Sequence, residues 1–313
     1  MDKVSFTYQN TNGDTKTITV LSFLGEGMSS RVYKCMLDGF GFVACKFFKN
    51  EKNVESEIKN ELRISNLCAN DDEHILTIKK LLLPKKLIGS YSEFPNNIAM
   101  INGGYENPIF IFKYIDGQRL GDDIKLKKEQ HQKIARDVLK NYMNELLLGL
   151  RIFQSKRIAH RDIKPDNIMI SEGHLIYIDF GFSCILEDCR TKLLTGTPNH
   201  TSPQVIRGEM PLNDKEWFSV DIFALGMTFF HMMTGDALVP MAFMEYLKIQ
   251  INTQLIIMQY KRRSLVDLKN MFNKTVNKHI KIEPYKTLIK GMINPILSER
   301  FDLETCLEVL HSK

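Results

Sequence analysis

The spacing of apolar residues changes along the chain. In Thr15-Lys16-Thr17-Ile18-Thr19-Val20 polar and apolar side chains alternate, which predicts a strand. The apolar runs 42–48, 76–83 and 108–114 predict three more strands, and the charged helix formers of 51–68 predict a helix between the first two of these runs. Pro84, Pro95, Pro108, Gly103-Gly104 and several Asn mark 84–107 as an extended insertion between two strands. From 134 to 156 the period lengthens, with Tyr142, Leu146, Gly149-Leu150 and Phe153 at near-helical spacing. Two short runs, 168–170 and 175–178, then read as paired strands around Ser171-Glu172-Gly173. The remainder is mostly helical in pattern. A strand-rich first part and a helix-rich second part predict an α+β protein with two domains, 1–113 and 114–313.

Composition agrees with two domains. The 313 residues are 43% hydrophobic and 25% charged, as in soluble globular proteins. The longest strongly apolar run, 223–233, is too short to span a bilayer, and no apolar signal segment opens the chain. The six cysteines, at 35, 45, 68, 184, 189 and 306, form no CxxC pair and read as reduced thiols. The expected location is therefore intracellular and cytoplasmic. Frequent Lys, Asn and Ile hint at an AT-rich, viral gene, which would place the protein in host-cell cytoplasm. The net charge of +5 argues against a dedicated nucleic-acid binder. Residues 241–290 hold ten Lys or Arg against three acids, either a solvated face or a dock for an acidic partner.

The candidate chemistry concentrates in 158–181, IAHRDIKPDNIMISEGHLIYIDFG. Phosphoryl transfer needs a carboxylate to orient the attacking hydroxyl, oxygen ligands for Mg²⁺ and a cation near the moving phosphate. Asp162, Asn167 with Asp179, and Lys164 supply these in order. Mg²⁺ accepts one or two carboxylates plus substrate phosphates in place of a full protein cage.

The order of His-Arg-Asp (160–162), Lys-Pro-x-x-Asn (164, 165, 167) and Asp-Phe-Gly (179–181) resembles the catalytic segment of the eukaryotic-type protein kinases, Ser/Thr class. The resemblance extends over roughly 18–311. It implies a bilobal kinase-like fold: a small antiparallel sheet lobe with one main helix, a hinge near 113–118 and a mostly helical lobe. It implies an ATP-dependent protein serine/threonine kinase, with Mg²⁺ (or Mn²⁺) as cofactor and protein Ser/Thr hydroxyls as acceptors. Asp162 would be the base, Lys164 would steady the γ-phosphate, and Asn167 and Asp179 would hold the metal. Leu24, Gly25, Glu26, Gly27, Met28, Ser29, Ser30, Arg31 and Val32 resemble the Gly-rich loop, with Ser30 in place of its third glycine. Lys46 resembles the lysine that binds the α and β phosphates, paired with Glu61, or with Glu57 one turn earlier. Lys113 and Ile115 fall at the hinge, Phe112 at the back of the nucleotide pocket, and Ala44 and Met169 on the adenine faces. Ser65 replaces a usual apolar residue, which predicts a looser helix.

Gly196-Thr197-Pro198-Asn199-His200-Thr201-Ser202-Pro203-Gln204 is similar to the family's GTPxYxSPE, with His200 for Tyr and Gln204 for Glu. Thr191 and Thr195 flank the usual phosphosite, occupied here by Leu193. Asp221 resembles the Asp that caps the catalytic loop, and Arg300 the Arg before the last helix. A nucleic-acid partner and a membrane span are not expected, and the chain is read as a monomer. Two other classes remain on the same fold: a non-catalytic scaffold, favoured by Ser30, Ser65 and Gln204, and a small-molecule or lipid kinase, disfavoured by the GTP–SPQ segment.

Overall fold

In the computed structural model of the chain, residues 5–9, 14–27, 29–49, 54–71, 73–84, 98–102, 107–189, 196–247 and 252–312 are described. Met28, most of the 84–107 insertion, and the segment holding Thr191, Leu193 and Thr195 lie outside them. The chain divides into two compact units, Met1–Asp116 and Gly117–Lys313. The boundary falls three residues beyond the one expected from sequence.

Unit 1 contains β1 (Ser5–Gln9), β2 (Thr15–Glu26), β3 (Ser30–Leu37), β4 (Gly41–Phe48), helix α1 (Val54–Leu67), β5 (Ile78–Pro84), β6 (Ile98–Asn102) and β7 (Ile109–Lys113). The strands close a barrel in the order β1-β2-β3-β4-β7-β5-β6, with β6 returning to β1. The antiparallel sheet expected from sequence needs one correction, because β5 and β6 run parallel. Thirteen residues separate them, the length a parallel connection requires, where a hairpin needs two. The interior is filled by Tyr8, Ile18, Cys35, Val43, Cys45 and Ile111 among others. Val54, Ile58 and Leu62, four residues apart on α1, bury against Phe48, Leu81, Phe110 and Phe112. Each such side chain contributes about 1.5–3 kcal/mol on full burial.

Ser65 does not loosen this helix. Its hydroxyl accepts the Ile78 backbone N–H at 2.6 Å, and the residue is buried. Ser65 thus ties α1 to the start of β5.

Unit 2 begins with β8 (Gln118–Arg119), α2 (Leu120–Glu129) and α3 (Arg136–Ser155). After β9 (Ile158–Ala159) comes a 3₁₀ turn at Pro165–Asn167, then β10 (Ile168–Ser171), β11 (His174–Tyr177) and β12 (Cys184–Ile185). The rest is helical: α4 (Pro203–Arg207), α5 (Asp214–Thr234), α6 (Leu238–Leu247), α7 (Thr253–Arg262), α8 (Leu265–His279), α9 (Tyr285–Met292) and α10 (Leu303–His311). Helix α5 is apolar nearly all round and buried over most of its length, as a central core helix must be. Asn213 caps it by accepting the Glu216 N–H at 3.0 Å. Among the described residues no single helix is long and apolar enough to cross a membrane. The described cations of 241–290 are spread over α7, α8, α9 and their connections, and Lys248 lies outside the described residues; Lys269 and Lys286 already pair with Glu299 and Glu283.

The reading of all six cysteines as reduced thiols is overturned. Cys184 and Cys189 form a disulfide, with Cα atoms 5.3 Å apart. The turn that follows β12 brings the two thiols together, a local geometry that the absence of a CxxC pair does not exclude. The bridge packs with Ala159, Leu186 and Trp217 in a small buried cluster. Cys35, Cys45, Cys68 and Cys306 are buried and outside any disulfide. Closing so short a loop restricts the unfolded chain by about 2 kcal/mol. Replacing Cys184 and Cys189 together by Ser should lower stability by about that amount in denaturant melts, and reductant should reproduce the loss in the unaltered chain. An unchanged midpoint would show that the bridge does not form in solution.

Candidate active site

In unit 1 the glycine-rich segment is the turn between β2 and β3. Gly25 lies opposite Val32 and Glu26 opposite Arg31, and the Gly27 N–H closes the turn on the Ser30 carbonyl at 2.8 Å. The Glu26 carboxylate accepts from Arg31 at 3.2 Å and Lys49 at 2.7 Å. The Lys49 hydrogen bond, then the nearby charges, hold this exposed carboxyl below its ordinary value. Ser29 donates its hydroxyl to Glu57. Ser30 is buried and Leu24 is exposed. A Cβ at Gly27 would meet nothing nearer than Ser30 Oγ at 3.8 Å, so no protein atom in the turn requires a glycine there. The open backbone suits close approach of a phosphate.

Lys46 sits opposite Val32 in the β3–β4 ladder. Its ammonium donates to both oxygens of Glu61, at 3.0 and 2.8 Å, and both residues are buried. Glu57, engaged by Ser29, is not its partner. Ala44 pairs with Phe112, which is itself buried against α1. Lys113 ends β7 exposed, and Ile115 follows, partly buried.

In unit 2, β10 pairs with β11 in the register Ile168 to Tyr177, as the sequence pattern predicts. The same hairpin end carries an Ile178 N–H to Asn167 C=O bond of 3.0 Å, which sets Asn167 beside the residues leading into Asp179. Met169 pairs on its other side with Arg119 of β8. Asp179 and Arg161 both adopt left-handed backbone, with φ of +65° and +69°. Non-glycine residues held there mark a site whose surroundings impose the conformation.

The Asp162 carboxylate is the centre of the hydrogen-bond network. One oxygen, Oδ1, accepts the Thr197 N–H at 2.9 Å and the Thr197 hydroxyl at 3.0 Å. The other, Oδ2, accepts from Lys164 Nζ at 2.7 Å and Asn167 Nδ2 at 2.8 Å. Lys164 also donates to Thr197 Oγ1 at 2.8 Å. Because its nitrogen is committed to Asp162, Asn167 keeps its amide oxygen as an acceptor. Thr197, from the segment similar to GTPxYxSPE, is therefore part of this network. Gly196, at φ +101°, makes room for it: a Cβ there would lie 2.6 Å from the Arg161 carbonyl oxygen.

Two buried groups hold the loop from below. Asp221 of α5 accepts the backbone N–H groups of His160 and Arg161 at 2.7 and 2.8 Å. Burial pushes its carboxyl up to about 6, against the pull of those two hydrogen bonds. The His160 ring packs edge-on against Phe153 and Phe180, and burial lowers its pKa to about 4. At neutral pH it is an uncharged spacer.

His200 is a second buried imidazole. Neither ring nitrogen has a hydrogen-bond partner among the described residues, and the ring lies 6.3 Å from that of His231. Burial first, then His231 and Lys164, lower its pKa to about 3. The folded state therefore binds fewer protons than the unfolded state between pH 3 and 6.5, and stability falls as pH drops through that window. By pH 5 the loss from His200 alone is about 2 kcal/mol. A His200→Phe variant should flatten the fall in melting temperature between pH 7 and 5; an unchanged slope would mean that the ring is already solvated.

The chain matches the protein kinase domain family over residues 18–311, and it belongs to that family. Among curated relatives it is 27% identical to yeast cAMP-dependent protein kinase type 3 over 232 residues, covering 73% of this chain and 51% of the relative. It is 28% identical over 220 residues to the human phosphorylase b kinase gamma catalytic chain, liver/testis isoform, covering 68% and 50%. It is also 28% identical over 144 residues to the Drosophila serine/threonine-protein kinase Genghis Khan, covering 44% and 9%. The chain thus spans about half or less of the length of these relatives.

Proposed function

We propose that this chain is an ATP-dependent serine/threonine protein kinase that transfers the γ-phosphate of ATP to protein hydroxyls. The observation that carries this reading is the Asp162 carboxylate fixed by four donors, one of them the Lys164 ammonium at 2.7 Å. Asp162 orients the acceptor hydroxyl and takes its proton as the phosphate departs. Lys164, within reach of the same oxygen, offsets charge on the transferring group. In unit 1, Lys46 binds the α and β phosphates while Glu61 keeps its ammonium in place, and the backbone around Gly25 and Gly27 covers the phosphates. Leu24, Ala44 and Met169 contact adenine, and the backbone at Lys113 and Ile115 reads its edge. Asn167 Oδ1 and Asp179 are hard oxygen ligands suited to Mg²⁺, which supplies charge neutralisation on the phosphates.

The departures noted in the sequence do not favour a scaffold. Ser65 makes a specific bond to Ile78, and Gln204 still holds Arg300 at 3.1 Å. Lys164 and Thr197 together on Asp162 favour short Ser/Thr acceptors. The test is transfer from radiolabelled ATP with Mg²⁺ to generic protein substrates, followed by phosphoamino-acid analysis. Phosphoserine and phosphothreonine should dominate. Mainly phosphotyrosine would refute the acceptor class, and a chain that neither binds nor turns over Mg·ATP would refute the kinase reading.

A further inference from the structure

Helix α1 carries two carboxylates one turn apart, and they hold two different parts of the candidate nucleotide site. Glu61 takes the Lys46 ammonium at 3.0 and 2.8 Å. Glu57 accepts the Ser29 hydroxyl at 2.5 Å, a distance that suits an O–H on a carboxylate. Residues four apart lie on the same helix face. The helix is a firm anchor for both. Its Val54, Ile58 and Leu62 are buried against Phe48 and Phe110, and its Ser65 bonds the Ile78 backbone.

The turn that contains Ser29 is held by polar ties more than by packing. Leu24, Glu26 and Gly27 are exposed, and a Cβ on Gly27 would find only Ser30 atoms, at 3.8 and 3.9 Å. The Gly27 N–H closes on the Ser30 carbonyl at 2.8 Å. Lys49, which follows β4 directly, occupies two further carbonyls. Its Nζ donates to Gly27 at 2.9 Å and its backbone N–H to Ser29 at 2.8 Å. Lys49 also pairs with the Glu26 carboxylate at 2.7 Å. These bonds tie the turn to its own sheet. The Ser29–Glu57 bond runs out of the sheet, to α1.

The energetic reason for such a tie lies in the glycines. Glycine loses more conformational freedom on ordering than any other residue. A turn ordered only as its ligand arrives subtracts that cost from binding. A bond made beforehand removes the cost. Glu57 is placed to make it because Lys46 is already taken by Glu61, which leaves the second carboxylate of the face for Ser29.

We propose that Glu57 is a positioning residue for the nucleotide. Through the Ser29 hydroxyl it latches the phosphate-covering turn to α1, so the helix that fixes Lys46 also fixes the turn. The proposal rests on the kinase reading, which supplies the nucleotide; the latch itself is a property of unit 1.

The test uses the full chain and two readouts. The first is amide hydrogen exchange over residues 24–34, followed by mass spectrometry without nucleotide. Ser29→Ala and Glu57→Ala should each speed exchange there by about fivefold or more. The double variant should be no faster than either single one, because both changes remove the same bond. The second readout is the dissociation constant of a fluorescent ATP analogue with Mg²⁺. Both single variants should raise it by about tenfold, the scale of a hydrogen bond to a charged group. Glu57→Gln keeps an acceptor and Ser29→Thr keeps the donor, so each should recover most of both effects. Unchanged exchange in Glu57→Ala overturns the proposal, as does a Glu57→Gln variant as loose as Glu57→Ala. A looser turn with unaltered nucleotide affinity also overturns it. Tighter nucleotide binding by Glu57→Ala would make Glu57 a repelling charge and nothing more, which overturns it too. An unaltered chain that binds no Mg²⁺–ATP analogue sinks the kinase reading and this inference together. Normal binding with exchange indifferent to Glu57 sinks this inference alone.

Discussion

Asp162→Asn should lower phosphotransfer by about 10²–10⁴-fold, the usual worth of a positioned general base. The structure adds a second cost. Both carboxylate oxygens face donors: Thr197 on one side, Lys164 and Asn167 on the other. Whichever way the new amide turns, its NH₂ group meets donors, so Lys164 or Thr197 must move. The variant should stay folded, because the His160 and Arg161 backbone is held independently by Asp221. Lys46→Met should behave differently. It takes the Lys46 ammonium away from the Glu61 carboxylate, which is 1% exposed. Breaking a buried pair from one side costs about 3–5 kcal/mol. Adding Glu61→Leu should recover most of that stability and none of the activity. Steady-state phosphotransfer and thermal melts on the three variants check both halves. Full activity in Asp162→Asn would remove Asp162 from the chemistry, and a Lys46→Met melt equal to the unaltered chain would show that Glu61 is solvated or protonated.

Much of this site is legible in the sequence because its parts are local. Asn167 and Asp179 lie at one end of a hairpin whose turn, Ser171-Glu172-Gly173, is visible as such, so the register follows from the apolar pattern. Lys46 is visible as a cation within an apolar strand, but its partner is not. Glu57 and Glu61 lie one turn apart on the same face, and only tertiary contacts separate them: Ser29 engages Glu57 while Lys46 takes Glu61. Ser65 misled because a polar residue in an apolar position reads as a loss. The backbone N–H it satisfies belongs to Ile78, thirteen residues away. Strands β1 and β6 were missed for a related reason. Their pairing with each other joins Tyr8 to Ile101, and β6 lies within an insertion rich in Pro, Gly and Asn. The Cys184–Cys189 bridge is not legible because the thiols are brought together by a turn that spans five residues and carries no CxxC spacing.

Gln204→Leu should destabilise unit 2 by about 3–5 kcal/mol, as two buried groups lose a partner together. Gln204 Oε1 accepts from Arg300 Nη2 at 3.1 Å, and its Nε2 donates to the Pro295 carbonyl. Arg300 is buried, and no carboxylate is paired with it among the described residues. Its other contacts are neutral: the carbonyls of Asn294 and Ser219 at 2.8 and 2.9 Å, Ser219 Oγ at 3.2 Å, and the Phe223 ring at 4.8 Å. Burial accordingly lowers its pKa to about 9. Gln204→Glu should act in the opposite direction, by less. A carboxylate 3–4 Å from the guanidinium gains about 4 kcal/mol at an effective dielectric of 20. Against this stand the desolvation of the new charge and the loss of the bond to Pro295, whose carbonyl would then face an oxygen. The net expectation is a gain of about 1 kcal/mol, a rise of some 2–4 °C in melting temperature, with activity unchanged because Gln204 makes no contact with the Asp162 network. A Glu variant that melts lower than the unaltered chain would show that the Pro295 contact, and not charge, is what Gln204 supplies.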